Sequence, residues 1–362
     1  MINNNWKSEQ FGNVATLQRG FDLPYRLRKP GPFPIITSSG IEDTHCEAKV
    51  KGPGVVTGRY GTIGEVFFIR GDYWPLNTTL YVRDFHGNDP LFVSYLLRTI
   101  DFRTHSGKTG VPGVNRNDLH RIVVFFPSTK AEQEAIAKAL GDVDALIDRI
   151  DTLIAKKRDT KQAAMQLLLT GKTRLPGFAG RWEVQTIQDL EKAGLVRLAR
   201  GKVISQKDID RVPGEFPIYS SSVKSGGIFG YYGEFMFDEE MITWSVDGGG
   251  NFFYRPKHKF SVTNVCGFMR VNSGKISYPF LAAQLQLLHG RLNFDYQTKA
   301  HPSVIRKAYQ VSLPSLTEQT AIADVLSDMD AEITALEQRG YKTRALKQGM
   351  MQELLTGKKR LL

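Results

Sequence analysis

Apolar residues at Ile136, Leu140, Val143, Ile147, Ile150 and Ile154 are spaced 4, 3, 4, 3 and 4, the stripe of a long amphipathic helix with coiled-coil spacing. A second stripe follows at Ile322, Leu326, Met329, Ile333 and Leu336. Both belong to a longer duplication, in which Glu132-Gln133 through Arg174-Leu175 returns as Glu318-Gln319 through Arg360-Leu361 at a constant offset of 186. About half of the paired positions are identical, which marks a duplicated unit. Thr129 or Ser128 in one copy and Thr317 in the other are placed to cap the helix start. Gly171 and Gly357 are placed to end each helix in a left-handed turn. About 40 residues at ~1.5 Å each give a rod of roughly 60 Å.

Such a rod cannot cover its own stripe, so each copy is expected to pack on the other. Charge order suggests the direction. The first rod carries Glu132, Glu134, Asp142, Asp144, Asp148 and Asp151 early and Lys156, Lys157, Arg158, Lys161, Lys172 and Arg174 later. The second runs likewise from Glu318, Asp324, Asp328, Asp330, Glu332 and Glu337 to Arg339, Lys342, Arg344, Lys347, Lys358, Lys359 and Arg360. Antiparallel packing sets acidic against basic halves; each exposed pair contributes only a few tenths of a kcal/mol, but several together can choose the direction.

Outside the rods the period changes to short alternating runs, Glu65-Val-Phe-Phe-Ile69, Thr79-Leu-Tyr-Val82 and Asn251-Phe-Phe-Tyr254, separated by turn residues. The chain therefore divides into a strand-rich module over 1–129, a helix over 130–175, a second module over 176–316 and a second helix over 317–362. The fold class is α+β: two strand-rich modules separated by two long antiparallel helices, with pseudo-two-fold symmetry.

The modules share an order of features rather than a sequence. Each opens with a Trp (Trp6, Trp182), expected as a core anchor, then passes Arg19-Gly20 or Arg200-Gly201 and reaches Phe33-Pro-Ile-Ile-Thr-Ser-Ser-Gly40 or Phe216-Pro-Ile-Tyr-Ser-Ser-Ser-Val223. A Gly-rich segment follows, Gly58-Arg-Tyr-Gly61-Thr-Ile-Gly64 or Asp247-Gly-Gly-Gly-Asn251, then an Asn in a polar break, Asn77 or Asn264.

Composition narrows the function classes. The net charge of +11 lies mainly in the modules, +4 and +5, against +2 and 0 in the helices, so a polyanion would meet the modules. The chain of 362 residues is long enough for two or three cores. It shows neither a spanning apolar run nor a signal peptide at its start, and a cytoplasmic protein is expected. Cys46 and Cys266, far apart and without partners at ligand spacing, are expected as packed thiols.

Catalytic patterns are weak. Gly171-Lys172-Thr173 has Gln166 where a phosphate loop begins with Gly, and it ends a helix instead of opening one. Gly58, Gly61 and Gly64 lack dinucleotide spacing. Asn88-Asp-Pro-Leu-Phe92 misses the second proline of an adenine-methylase motif and reads as a turn before a helix, and Glu47-x-Lys49 near Asp43 is a chance-level nuclease pattern. No catalytic residue, metal site or cofactor is expected in this chain.

The alternation of unlike modules with near-identical helices, with Thr317-Glu-Gln-Thr-Ala-Ile-Ala323, Leu354-Leu-Thr-Gly-Lys358 and the Gly58–Gly64 loop, resembles the specificity subunit of type I restriction-modification systems. The resemblance covers essentially the whole chain. It implies target recognition domains that each read half of a split, asymmetric double-stranded DNA sequence, and helices that form an antiparallel spacer and dock two methyltransferase subunits. It further implies that those subunits bring S-adenosylmethionine and modify adenine, and that a separate restriction motor subunit cuts unmodified DNA. Base readers need Arg or Lys for guanine, Asn or Gln for adenine and Ser or Thr as adaptable partners. The candidates are Ser38, Ser39, Arg59, Tyr60, Asn77, Lys108, Thr109, Asn115 and Arg116 in the first module, and Ser221, Ser222, Lys224, Trp244, Asn251, Lys299, His301 and Arg306 in the second. The rival expectation is a coiled-coil assembly protein whose basic modules bind protein or RNA.

Overall fold

The computed structural model describes residues 5–105, 113–221, 224–247, 251–291 and 300–361. The chain forms two units: Met1–Asp151 with Gln338–Leu362, and Thr152–Glu337. Both boundaries fall inside long helices, so each unit combines one strand-rich module with half of each helix. The helices run Lys130–Leu168 and Leu316–Leu354, 39 residues apiece, about 58 Å each.

In the first unit a four-stranded antiparallel sheet runs in the order Thr16–Arg19, Thr79–Asp84, Gly54–Gly58, Val66–Ile69. A three-stranded sheet places Phe33–Thr37 between Gly40–His45, antiparallel, and Trp74–Pro75, parallel. Asp89 caps the helix Pro90–Leu97 by accepting from Phe92 N at 2.7 Å, so the Asn88-Asp-Pro stretch is the expected turn before a helix. The core joins Phe11, Leu17, Val55, Phe92 and Tyr95 to Ile136, Ala137 and Leu140 of the first long helix and to Leu354 and Leu355 at the end of the second.

The second unit has a six-stranded sheet in the order Val196–Arg200, Cys266–Val271, Phe237–Ser245, Phe252–Val262, Phe216–Tyr219, Ile228–Tyr232. Phe216–Tyr219 runs parallel to Phe252–Val262 and the other pairings are antiparallel. Trp244, Phe252, Phe280, Leu285 and Tyr309 pack with Leu168 and Leu169 of the first long helix and with Ile322, Ala323 and Leu326 of the second.

The repeated Glu-Gln that opens each long helix has the same two jobs in both units. Gln133 donates to Asn88 Oδ1 at 2.8 Å and Pro127 O at 3.0 Å and accepts from Asp89 N at 2.9 Å. Gln319 donates to Pro314 O at 2.9 Å and accepts from Ser277 N at 2.9 Å. Each glutamine thus satisfies buried main chain that would otherwise be costly to leave unpaired. Glu132 pairs with Arg360, and Glu318 with Arg174.

These pairs belong to an antiparallel ladder in each unit. Asp151 meets Arg344 and Asp144 meets Lys347 in the first; Lys157, Arg158 and Lys161 meet Glu332, Glu337 and Asp330 in the second. Positions 132, 144 and 151 pair with 360, 347 and 344, and 157, 161 and 174 with 332, 330 and 318, so the helices run in the opposed directions that charge order suggested. Gly340 is buried facing the first long helix, where a Cβ would rest at contact distance, 3.4 Å, from Ile150 Cγ2 and 3.0 Å from Arg344 Nη1 of its own helix.

Gly171 and Gly357 adopt φ of 67° and 71°, and the amides of Thr173 and Lys359 return to the carbonyls of Leu167 and Glu353 at 3.2 and 3.1 Å, so both helices stop as expected. The second start is corrected: the helix begins at Leu316, so Thr317 lies inside the first turn and Ser315 Oγ accepts from Glu318 N at 3.4 Å instead. Trp6, 8% exposed, donates to Glu132 at 3.1 Å, and half-buried Trp182 meets Phe280 edge-on at 6.1 Å. The cysteine expectation holds for Cys266, whose thiol burial pushes up to about 12, and fails for Cys46, which is exposed.

Candidate nucleic-acid interface

In the first module Ser38 and Ser39 form the tip of the hairpin that joins Phe33–Thr37 to Gly40–His45. Thr37 Oγ1 locks that tip by donating to Gly40 O at 3.1 Å and accepting from Ser39 N at 3.2 Å. The Gly58–Gly64 loop lies beside it: a Cβ on Gly61, where φ is 79°, would sit 3.4 Å from Ser38 Oγ, and one on Gly58 would strike Thr62 O. Glycine is therefore required by the tight turn. The amides of Arg59 and Tyr60 both donate to Thr78 O, at 2.8 and 3.2 Å, which brings the loop to the Asn77 break. The Arg59 guanidinium lies 4.5 Å from the Tyr60 ring centre, and Tyr60 is exposed.

Ser38, Ser39 and Asn77 line one cleft of about 710 Å³ together with Asp22, Tyr25 and Arg28. Five residues picked from separate stretches of sequence thus converge: Ser38, Ser39, Arg59, Tyr60 and Asn77. Val114 N donates to Arg59 O at 2.9 Å, which brings Asn115 and exposed Arg116 to the same loop. Asn115 accepts from Asn117 N at 3.0 Å as the cap of the helix Arg116–His120. Lys108 and Thr109 lie outside the described residues.

The second module assembles less completely. Ser222 and Lys299 lie outside the described residues; Lys224 begins the turn Lys224–Gly227 and its side chain is not described. Half-buried Ser221 follows the strand Phe216–Tyr219. Asn251 Oδ1 accepts from Gln286 Nε2 at 3.2 Å. His301 caps the helix Pro302–Ala308, and burial, helped by Arg200 and Arg306, holds its pKa below the usual histidine value. Arg306 pairs with Glu191 and donates to Leu198 O at 3.2 Å, tying that helix to its neighbours.

Trp244 is a correction. Its ring is fully buried on an inward position of a central strand, stacks on Phe252 at 5.5 Å and donates to Ala300 O at 2.8 Å. It belongs to the core and presents nothing to DNA.

Arg255 of the second module escaped sequence reading. Arg255, 8% exposed, donates to Thr243 Oγ1 at 3.0 Å and Gly226 O at 2.6 Å and lies 3.7 Å from the Tyr219 ring centre. Burial lowers its pKa, and no ion-pair carboxylate accompanies it among the described residues. The only signal was a cation inside an aromatic strand, Phe252-Phe-Tyr-Arg255. It anchors the turn Lys224–Gly227 through the carbonyl of Gly226.

Comparison with known proteins agrees with the repeat. The profile of the type I restriction modification DNA specificity domain matches residues 3–156 and again 180–344. The chain therefore belongs to that family. A Mycoplasma pneumoniae protein assigned as type I specificity subunit S.MpnORF365P is 28% identical over 223 residues, covering 60% of this chain and 78% of the relative. The specificity subunit of the M. pneumoniae type I restriction enzyme MpnII is 32% identical over 136 residues, 36% of this chain and 40% of the relative. In two such curated relatives the match spans less than half of their length, 44% and 40%. The crystal structure of the type I restriction-modification S subunit of M. genitalium shares the fold, with a TM-score of 0.72 at 17% identity over 98% of this chain and 97% of that one.

Proposed function

We propose that this chain is the DNA-reading subunit of a type I restriction-modification complex, in which each module reads one half of a bipartite target. The observation that supports this most is the convergence of Ser38, Ser39, Arg59, Tyr60 and Asn77 beside one cleft, on a basic module. Together they offer a cation, an amide, two hydroxyls and an exposed ring, the groups that reach base edges and phosphates. The modules differ in sequence, so the target is asymmetric. In the second module the described candidates are Ser221, Asn251, His301 and Arg306, with Ser222, Lys224 and Lys299 proposed beside them; Lys108, Thr109, Asn115 and Arg116 complete the first.

The long helices carry the interaction with two methyltransferase subunits, and through that complex the restriction subunits act. A helix of about 58 Å exceeds one ~34 Å turn of B-DNA, so the rods suit a gap between half-sites. The chain itself is non-catalytic and acts in the cytoplasm; S-adenosylmethionine belongs to the methyltransferase partners.

Selection from a random duplex library, with and without the methyltransferase subunits, tests the reading. A motif of two unlike blocks around an unspecified gap is expected from the complex. Retention of RNA in preference to duplex, or selection without any motif, contradicts it.

A further inference from the structure

Asn77 and Asp22 are neighbours by register. Phe21 and Leu76 form a parallel bridge, which sets the next residues, Asp22 and Asn77, side by side at the edge of the 710 Å³ cleft that both line. Main chain fixes both segments: Phe21 N donates to Pro75 O at 2.8 Å, Leu76 N to Ile36 O at 2.9 Å, and Thr78 O receives the amides of Arg59 and Tyr60.

Asn77 Nδ2 donates to Asp22 Oδ1, and Arg19 Nη2 donates to the same carboxylate at 3.2 and 3.3 Å. An ionised carboxylate only accepts, so the NH₂ end of the amide must face Asp22. The usual ambiguity of an amide flip is thereby removed by chemistry. One N–H and the carbonyl oxygen of Asn77 have no other partner among the described residues, and with the N–H trans to the oxygen given to Asp22 these two share one edge of the planar amide. Arg19 offsets the charge of Asp22, which would otherwise repel phosphate.

That pattern matches one base. Adenine offers an acceptor, N7, beside a donor, N6, on its major-groove edge; guanine offers two acceptors, thymine one acceptor and a methyl group, and cytosine one donor. We infer that the first module reads an adenine through Asn77, with Asp22 as the positioning residue that orients the amide. This rests on the DNA-reading function proposed above for the same cleft. The second unit supplies a contrast: its matching parallel bridge joins Lys202 to Thr263, so the residue beside Asn264 is Val203, 74% exposed. No carboxylate orients that amide from this position, so the device is not repeated at the corresponding place of the second module.

The test compares the methyltransferase-bound complex carrying wild-type chain, Asn77→Ala, Asp22→Ala or Asp22→Asn on a randomised duplex library, with preference read at each position. Wild type should show adenine at one position of one half-site. Asn77→Ala and Asp22→Ala should both lose that preference about tenfold or more, the discrimination a bidentate contact supplies. Asp22→Asn, which keeps the shape but lets the amide turn over, should weaken the same position. Unaltered preferences in the other half-site report a folded complex. The inference is overturned if Asp22→Ala keeps the adenine preference, if the affected position is another base, or if the loss spreads across the half-site as a folding defect would. A wild-type complex that selects no split motif overturns the underlying DNA-reading function as well, which separates the two failures.

Discussion

Truncating Leu355 to alanine should loosen the unit built on residues 1–151, although Leu355 lies near the far end of the chain. It is 4% exposed and packs in the cluster that contains Phe11, Phe92, Tyr95 and Leu140. Its duplicate, Leu169, is 1% exposed and packs instead with Trp244, Phe280 and Tyr309, where Gln284 donates to its carbonyl at 2.8 Å. Deleting a buried leucine side chain costs about 2–5 kcal/mol. In units of this size, where a kcal/mol moves the midpoint by roughly 2–4 °C, a loss of about 3 kcal/mol lowers the transition by roughly 6–12 °C. Hydrogen exchange read peptide by peptide assigns the loss: Leu355→Ala should reduce protection in strands such as Gly54–Gly58 and Thr79–Asp84, and Leu169→Ala in Phe237–Ser245 and Cys266–Val271. If each substitution loosened only the module preceding its own helix in sequence, the exchanged-helix packing would be refuted.

Other outcomes follow from single sites. Burial holds the His289 pKa below its usual value, so its contribution to stability is complete above the unfolded value of about 6.5 and is lost as pH falls through the window below it; unfolding midpoints between pH 7 and 5 should fall less in His289→Gln than in wild type, and parallel curves would contradict this. Arg255→Met keeps most of the volume but strips the donors from Thr243 and Gly226, for an expected loss of about 1–3 kcal/mol in urea unfolding; an unchanged midpoint would show the contacts to be idle. A thiol reagent at neutral pH should modify exposed Cys46 in the folded protein and Cys266 only after unfolding, and rapid labelling of both would contradict the buried position of Cys266.

Residue spacing disclosed the rods because a helix repeats its face every few residues and a duplicated stripe can be recognised without tertiary knowledge. Charge order disclosed their direction for a similar reason: ion pairs such as Asp151–Arg344 and Lys161–Asp330 require opposite trends on the facing halves. The strand runs around Val66–Ile69, Thr79–Asp84 and Phe252–Val262 were legible from alternation. Which module receives which helix end was not, since Leu169 and Leu355 have nearly identical local sequences and are distinguished only by what surrounds them.

At the candidate interface the turn residues Ser38, Ser39 and Asn77 stood out because such types mark loops. Trp244 misled because composition does not reveal the inward side of a central strand. Asp22 went unnoticed because its partner lies 55 positions away and only the Phe21–Leu76 bridge unites them. Cys46 was expected to be packed because most lone cysteines are, and an exposed turn position carries no contrary signal.

Two readers that share one chain and act independently should be exchangeable one at a time. The experiment replaces residues 176–316 with the corresponding segment of another family member and profiles methylated adenines in a host that expresses the full complex. One half of the recognised sequence should change completely while the other half stays the same. A change in both halves, or in neither, would contradict the account.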